Sequence, residues 1–267
     1  MNIAVATSLL AENEFDPFLT ISYAEKNGID AVQFYMSPNI QKDVKTVEEI
    51  RDLCEKKSIK VLCHSPFYIS NAAEKKHCEA LFNIFPKLYD DKYCIFHFDE
   101  DYGIDVMLDE CKKLVDFGLL PCIENFYKDK SQSGLTANME KYLSFFDKIF
   151  AQNIPVIPVL DFPRLFVEEF SGFNPVLLSQ TLIEKFSKRK IIVHAIDSVS
   201  PCQKRDNWCA VGTGIVAYRD IFEAIKRLDV FVEYAVLEYE NTAFIAQSIE
   251  NLNRYTRHCS HQTFWLQ

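Results

Sequence analysis

Six polar residues interrupt otherwise apolar stretches of this chain: His64 in CHSP, His97 in IFHFD, Glu124 in CIENF, Asp161 in VLDFP, His194 in VHAID and Glu238 in VLEYE. Successive gaps are 33, 27, 37, 33 and 44 residues, so the motif recurs at the pace of a strand–helix unit. Three imidazoles and three carboxylates are donors that divalent ions accept. Carboxylates beside such an ion can move a proton at a carbon next to a carbonyl. Glu124 poses the question most sharply. It ends the run LLPCI, which reads as a buried strand, and a buried carboxylate is costly unless something compensates its charge. A bound metal ion would do so, with Asn125 placed to hydrogen-bond nearby.

These residues are set out by alternating strand and helix signals. The strand candidates are NIAVAT, DAVQFYM, KVLCHSP, YCIFHF, LPCIENF, IPVIPVLDF, IIVHAID and EYAVLEY. Most are continuous apolar runs, as expected of parallel strands covered on both faces. Between them, Thr46 and Glu49 have capping-box spacing, and Asn174-Pro175 reads as an N-cap and first helical residue. Met139, Tyr142, Leu143, Phe146, Ile149 and Phe150 form one apolar stripe at helical spacing, and a last helix is expected from about Asn241. Eight such units in 267 residues predict an α/β fold, a single (β/α)8 TIM barrel spanning 1–267. The rival is a doubly wound open sheet, which the absence of GxGxxG disfavours. All six polar residues then fall near C-terminal strand ends, where barrel active sites assemble.

Composition excludes several other classes. A net charge of −9 is a poor match to nucleic acid, and no apolar run approaches the roughly 20 residues that span a bilayer. The first residues carry no basic segment and reach Glu12 and Glu14 early, unlike a secretory leader. Nine scattered cysteines without CxxC spacing suit free thiols in a reducing cytoplasm.

The ordered set CHSPF, IENFY, VLDFPR, VHAIDS, VGTGIVAYRDIFEAIKR and VLEYE resembles the xylose isomerase-like barrel superfamily over nearly the whole chain. That group includes sugar isomerases and epimerases, inosose-type dehydratases and apurinic endonucleases of the endonuclease-four type. In its epimerase branch the resemblance implies one divalent ion (Mn, Mg, Co or Zn) held by Glu124, Asp161, His194 and Glu238. Glu124 and Glu238 then serve as the acid–base pair of an enediolate mechanism, while His64 and His97 contact substrate. Two positions depart from the family pattern. Arg164 stands where His is expected after Asp161, and Trp208 replaces the second histidine of the nuclease pattern that Asp206 begins. Losing two nitrogen ligands, beside the acidic HFDEDYGID loop, argues against a three-metal nuclease. Strand two carries Gln33 where relatives often have a carboxylate.

Arg164, joined by Lys204 and Arg205 from a neighbouring loop, raises the expectation of an anionic sugar or sugar acid, since guanidinium grips carboxylate or phosphate. The expected substrate contacts are therefore His64, His97, Arg164, Arg205, Asp206 and Trp208. The Gly212–Gly214 turn could cradle an anion on its amides. Plainer roles stand beside these: Asp161 as ion-pair partner of Arg164, Asp197 as a support for a histidine ligand or merely a loop start, and Lys185–Lys190 as a solvated helix end. The C-terminal segment with His258, His261 and Trp265 is expected to pack on the barrel or on a second subunit of a homo-oligomer. The overall expectation is a cytoplasmic metal-dependent isomerase or epimerase of a small carbohydrate. Dehydration on the same metal platform, abasic-site cleavage and ligand binding without turnover are the alternatives.

Overall fold

The computed structural model describes residues 1–37, 40, 43–86, 91–128, 131–168, 172–202 and 204–257. The expected C-terminal packing, with His258, His261 and Trp265, lies outside the described residues. Eight parallel strands close into a barrel: β1 (Asn2–Ala6), β2 (Ala31–Tyr35), β3 (Lys60–Tyr68), β4 (Tyr93–His97), β5 (Leu120–Glu124), β6 (Ile157–Asp161), β7 (Lys190–Ala195) and β8 (Phe231–Leu237). Each strand pairs with its neighbours in sequence, and β8 pairs with β1 to close the ring.

The helices are α1 (Pro17–Lys26), α2 (Val44–Lys57), α3 (Lys75–Asn83), α4 (Ile104–Asp116), α5 (Gln132–Ala151), α6 (Pro175–Lys185), α7 (Tyr218–Arg227) and α8 (Ile245–Arg257). No described helix is long and apolar enough to cross a membrane, and the eight described cysteines are free.

Strand alternation explains the continuous apolar runs. One set of residues, including Val5, Phe34, Cys63, Phe96, Ile123, Leu160, Val193 and Leu237, packs outward against the helices. The alternate set, including Leu62, Ile95, Cys122, Val159, Ile192 and Val236, packs within the barrel. These six lie two residues before His64, His97, Glu124, Asp161, His194 and Glu238, respectively. With a side-chain period of two, the six polar residues therefore share the inner face, one layer above the core. Ala31 and Gln33 repeat the relation on β2. Register sets His97 opposite Glu124 and Asp161 opposite His194, and steps by two residues at other pairs, where His64 opposes Ile95 and Glu124 opposes Val159.

The helices pack as their stripes require. On α5, Tyr142, Phe145 and Phe146 are fully buried; Tyr142 and Phe145 meet Phe146 edge-on at 5.0 and 5.2 Å, and Phe186 meets Phe146 at 5.0 Å. Phe146→Ala would cost about 3–5 kcal/mol through the cavity it leaves. Asn174 caps α6 as expected, accepting from the amides of Val176 and Leu177. Two starts differ from expectation. Asp43, not Thr46, caps α2: its carboxylate accepts from the Thr46 amide at 3.2 Å and the Thr46 hydroxyl at 2.7 Å, since an ionised acceptor outcompetes a hydroxyl for exposed amides. The last helix starts at Ile245, because the Asn241 side chain accepts from the Ala243 amide and forms a turn first.

The Gly212–Gly214 turn is not an open anion cradle. Its amides already donate to Asp197: Gly212 and Gly214 to Oδ2, each at 2.9 Å, joined by Val216 and Ser198 on Oδ1. A Cβ on Gly214 would lie 2.3 Å from Asp197 Oδ1, so the turn requires glycine there. Asp197 thus organises a loop and does not support a histidine ligand.

Candidate active site

At the C-terminal mouth the inner layer turns polar and centres on Glu124, which is fully buried. Its two oxygens face different partners. Oε2 lies 3.2 Å from His64 Nε2, 3.4 Å from His194 Nδ1 and 3.5 Å from His97 Nε2. Oε1 accepts from Arg164 Nε at 3.1 Å and Nη2 at 2.9 Å. Arg164 Nε also lies 2.6 Å from Asp161 Oδ2. The guanidinium sits 4.6 Å from the centre of the Phe126 ring, which stacks on His97.

The hydrogen bonds constrain what each histidine presents. His64 stands between two acceptors, the Ser65 carbonyl 3.0 Å from Nδ1 and Glu124 Oε2 3.2 Å from Nε2, so a neutral ring donates to only one of them. Gln33 Nε2 donates to Glu238 Oε1 at 2.6 Å, which leaves Gln33 Oε1 to accept from His194 Nε2 at 3.1 Å. In the neutral ring, His194 Nδ1 then bears a lone pair. That atom is buried, has no hydrogen-bond partner and lies 3.2 Å from Glu238 Oε2. Acceptors outnumber protons here, an arrangement that calls for a cation, either a proton on His194 Nδ1 or a metal ion in its place.

The ionisation states answer to the same charges. Burial opposes a charge on His194, but Glu238 and Glu124 outweigh it and hold its pKa well above the usual histidine range. Burial likewise works against Glu124, and neighbouring His97, Arg164 and His194 keep it well below the usual carboxylate range. Asp161 is pushed up to about 7 by burial, against the pull of Arg164. Burial depresses His97 to about 4. Donor atoms of Glu124, Asp161 and His194, of His64, His194 and Glu238, and of His64, His97 and Glu124 lie within 4.8 Å of one another in each trio. Donor types and spacing both fit a divalent ion.

A cavity of about 340 Å³ opens beside this layer, near the lower end of the roughly 300–1,000 Å³ of ligand pockets. Gln33, His64, His97 and Glu238 line it, with Phe15, Tyr35 and Trp208 supplying aromatic walls. The structure therefore brings His64, His97, Glu124, Asp161, Arg164, His194 and Glu238 together. Trp208 joins them on the cavity wall. Arg205 pairs with Glu240 on a loop and stays largely exposed; it and the exposed Asp206 are outside the cavity lining. Arg164 is turned to Glu124 and Asp161, so its charge is already met. Sequence reasoning gave no role to Gln33, although its place two residues after Ala31 marks it as a member of the layer. Tyr35, two residues further on, shares that face, whereas Phe15 carries no such mark. Glu14 (φ 56°) and Phe15 (φ 61°) adopt consecutive left-handed conformations, a strained route that sets the Phe15 ring at the mouth.

No protein-family model matches the chain, and no curated protein sequence does. Solved structures do match. A xylose isomerase domain protein from Planctomyces limnophilus shares 11% identity at a TM-score of 0.67, over 97% of each chain. The IolI protein crystallised with a zinc atom shares 15% identity at a TM-score of 0.66, over 100% of each chain. D-psicose 3-epimerase from Clostridium cellulolyticum H10, solved with D-tagatose, shares 12% identity at a TM-score of 0.61, over 94% of this chain and 89% of its own. The chain thus has the fold of the xylose isomerase-like TIM barrels.

Proposed function

We propose that this protein is a divalent-metal-dependent isomerase or epimerase of a small uncharged carbohydrate. The observation that carries the reading is the buried convergence of His194 Nδ1 on Glu124 Oε2 at 3.4 Å and Glu238 Oε2 at 3.2 Å, a place that must hold a cation and whose donor types suit a divalent ion. Glu124, Asp161, His194 and Glu238 are the residues that would hold it. When bound, the ion polarises a substrate carbonyl and acidifies the adjoining C–H.

The chain's own groups supply the rest. Glu238 is partly open to the cavity and is the base that takes the proton from the carbon beside the carbonyl. The electron pair of the broken C–H bond moves onto the carbonyl oxygen. Return of the proton by Glu238 to the former carbonyl carbon, with a hydroxyl proton passing between the two substrate oxygens, gives isomerisation. Epimerisation takes a second acid on the opposite face, for which the cavity offers His64 or His97. Gln33 holds the other Glu238 oxygen at 2.6 Å, which fixes the orientation of the base. Glu124, without exposed surface, acts from behind the site through its charge. His64 and His97 face the cavity as partners for substrate hydroxyls. The described lining residues include Glu238 and Glu240 but no lysine or arginine, which favours a neutral substrate over the anionic one that Arg164 and Arg205 had raised.

The test is proton exchange. Wild type and Glu238→Gln are incubated with aldoses, ketoses and inososes in D₂O, with Mn²⁺, Co²⁺, Mg²⁺ or Zn²⁺ added. Deuterium incorporated beside the carbonyl by wild type and not by the variant is expected. Incorporation of equal rate in both would remove Glu238 from the mechanism.

A further inference from the structure

We propose that Arg164 is a resident counter-ion that withdraws Asp161 and one oxygen of Glu124 from metal binding. The ion is then held by Glu124 Oε2, His194 and Glu238, with His64 alongside. This rests on the metal-dependent reading above and changes its ligand set.

The geometry behind it belongs to residues of this chain. Arg164 follows β6 in a short turn, Pro163–Leu165, which returns its side chain to the strand end it has just left. Its Nε lies 2.6 Å from Asp161 Oδ2, while Nε and Nη2 reach the same Glu124 oxygen. Phe126 supports the guanidinium from one face at 4.6 Å. Asp161 is itself pinned, because Asn125 Oδ1 accepts from its amide at 2.7 Å and Asn125 Nδ2 donates to its carbonyl at 3.3 Å. Arginine keeps its proton at any working pH, so this positive charge is permanent.

A divalent ion recruiting Asp161 must displace that guanidinium, and two cations compete for one carboxylate. Among the described residues the opposite half of the layer has no such competitor. Glu124 Oε2 faces three imidazole nitrogens, and Glu238 Oε2 faces His194 Nδ1. With two carboxylates around it and not three, the ion keeps more charge for a substrate oxygen, at a cost in affinity.

A double-mutant cycle decides it, read as Zn²⁺ and Mn²⁺ affinity by competition with a chromophoric chelator, with folding checked by circular dichroism. Asp161→Asn alone is expected to change affinity by less than about threefold. Arg164→Met is expected to tighten it by about tenfold or more, within the 10–100-fold range of groups that support metal ligands. The double variant should return to the wild-type range. Should Arg164→Met not fold, Arg164→Lys keeps the charge but loses the fork and is expected to tighten binding by less, in the same direction. A tenfold weakening in Asp161→Asn would show Asp161 to be a ligand despite Arg164 and overturn the inference, leaving the metal-dependent reading intact. Unchanged or weaker binding in Arg164→Met, or in Arg164→Lys where that is the variant read, overturns it equally. Absence of binding in wild type and every variant would overturn the metal-dependent reading, and this inference with it.

Discussion

The mouth of the barrel has a closed side and an open side, built from one layer of residues. On the closed side, where β5 and β6 end, Glu124 Oε1 and Asp161 share Arg164, and Asn125 stitches the two strand ends together. On the open side, Glu238, Gln33 and His64 border the cavity, and His194 Nδ1 faces the carboxylates of Glu124 and Glu238. Both sides hold carboxylates away from bulk water, Glu238 less deeply than Glu124 and Asp161. One compensates them with a covalently attached cation, and the other leaves the compensation to something that binds. On the proposed function the closed side is the structural half of the site and the open side the chemical half, a division that stability and activity should reveal separately.

The sharpest break between them is Glu238→Gln. Loss of a positioned base costs about 10²–10⁴-fold in rate, so turnover should fall by about 10³-fold. Unfolding in urea should move by only about 1 kcal/mol, because Glu124 stays beside the buried His194 when Glu238 is neutralised. A large stability loss with activity retained would reverse the assignment of the two sides. Arg164→Met should do the opposite to the fold. It leaves Glu124 and Asp161 without their cation and should cost the metal-free protein about 2–3 kcal/mol in urea, somewhat below the roughly 3–5 kcal/mol of a fully buried pair, because the guanidinium is partly exposed. Saturating Zn²⁺ should recover part of that loss by mass action.

Gln33→Leu refines the open side. It removes the acceptor that fixes the His194 proton and the donor that holds Glu238, and should weaken metal affinity by about 10–100-fold, read by chelator competition. No change would mean that His194 is oriented some other way. The smallest effect near neutral pH belongs to a polar contact on neither side. His77, on α3, is buried with Nε2 3.0 Å from Ser65 Oγ, and burial lowers its pKa to about 4. The unfolded chain takes up that proton near pH 6.5, so stability from His77 is complete above that value and declines as pH falls towards 4. The loss is about 0.8 kcal/mol at pH 6 and about 2 kcal/mol at pH 5. Urea midpoints for wild type and His77→Gln should diverge in their pH slope across this window, the variant being flatter.

The barrel was legible because its cause is local. Apolar runs such as YCIFH and KIIVHA need both faces covered, and eight of them leave few architectures. The polar layer was legible for the same reason: Cys122 and Glu124, or Ile192 and His194, are two apart and must share a face. Helix starts were less certain, since Asp43 and Thr46 are both good caps and only their mutual hydrogen bond ranks them. The Gly212–Gly214 turn misled because glycine reports backbone freedom and not which acceptor uses the amides, here Asp197.

What the sequence determined by itself is therefore the layer: which residues stand at the strand ends, and that imidazoles and carboxylates meet there. Only the tertiary structure decided how their charges pair. Asp161 was a visible neighbour of Arg164, three residues away, but Glu124 lies 40 residues from it and comes within 2.9 Å only when β5 and β6 align. Alternation along a strand is a property of consecutive residues, whereas an electrostatic partner is chosen by distance in space and by exclusion of water. That is why Arg164 read in the sequence as a grip for substrate and stands in the fold as a counter-ion.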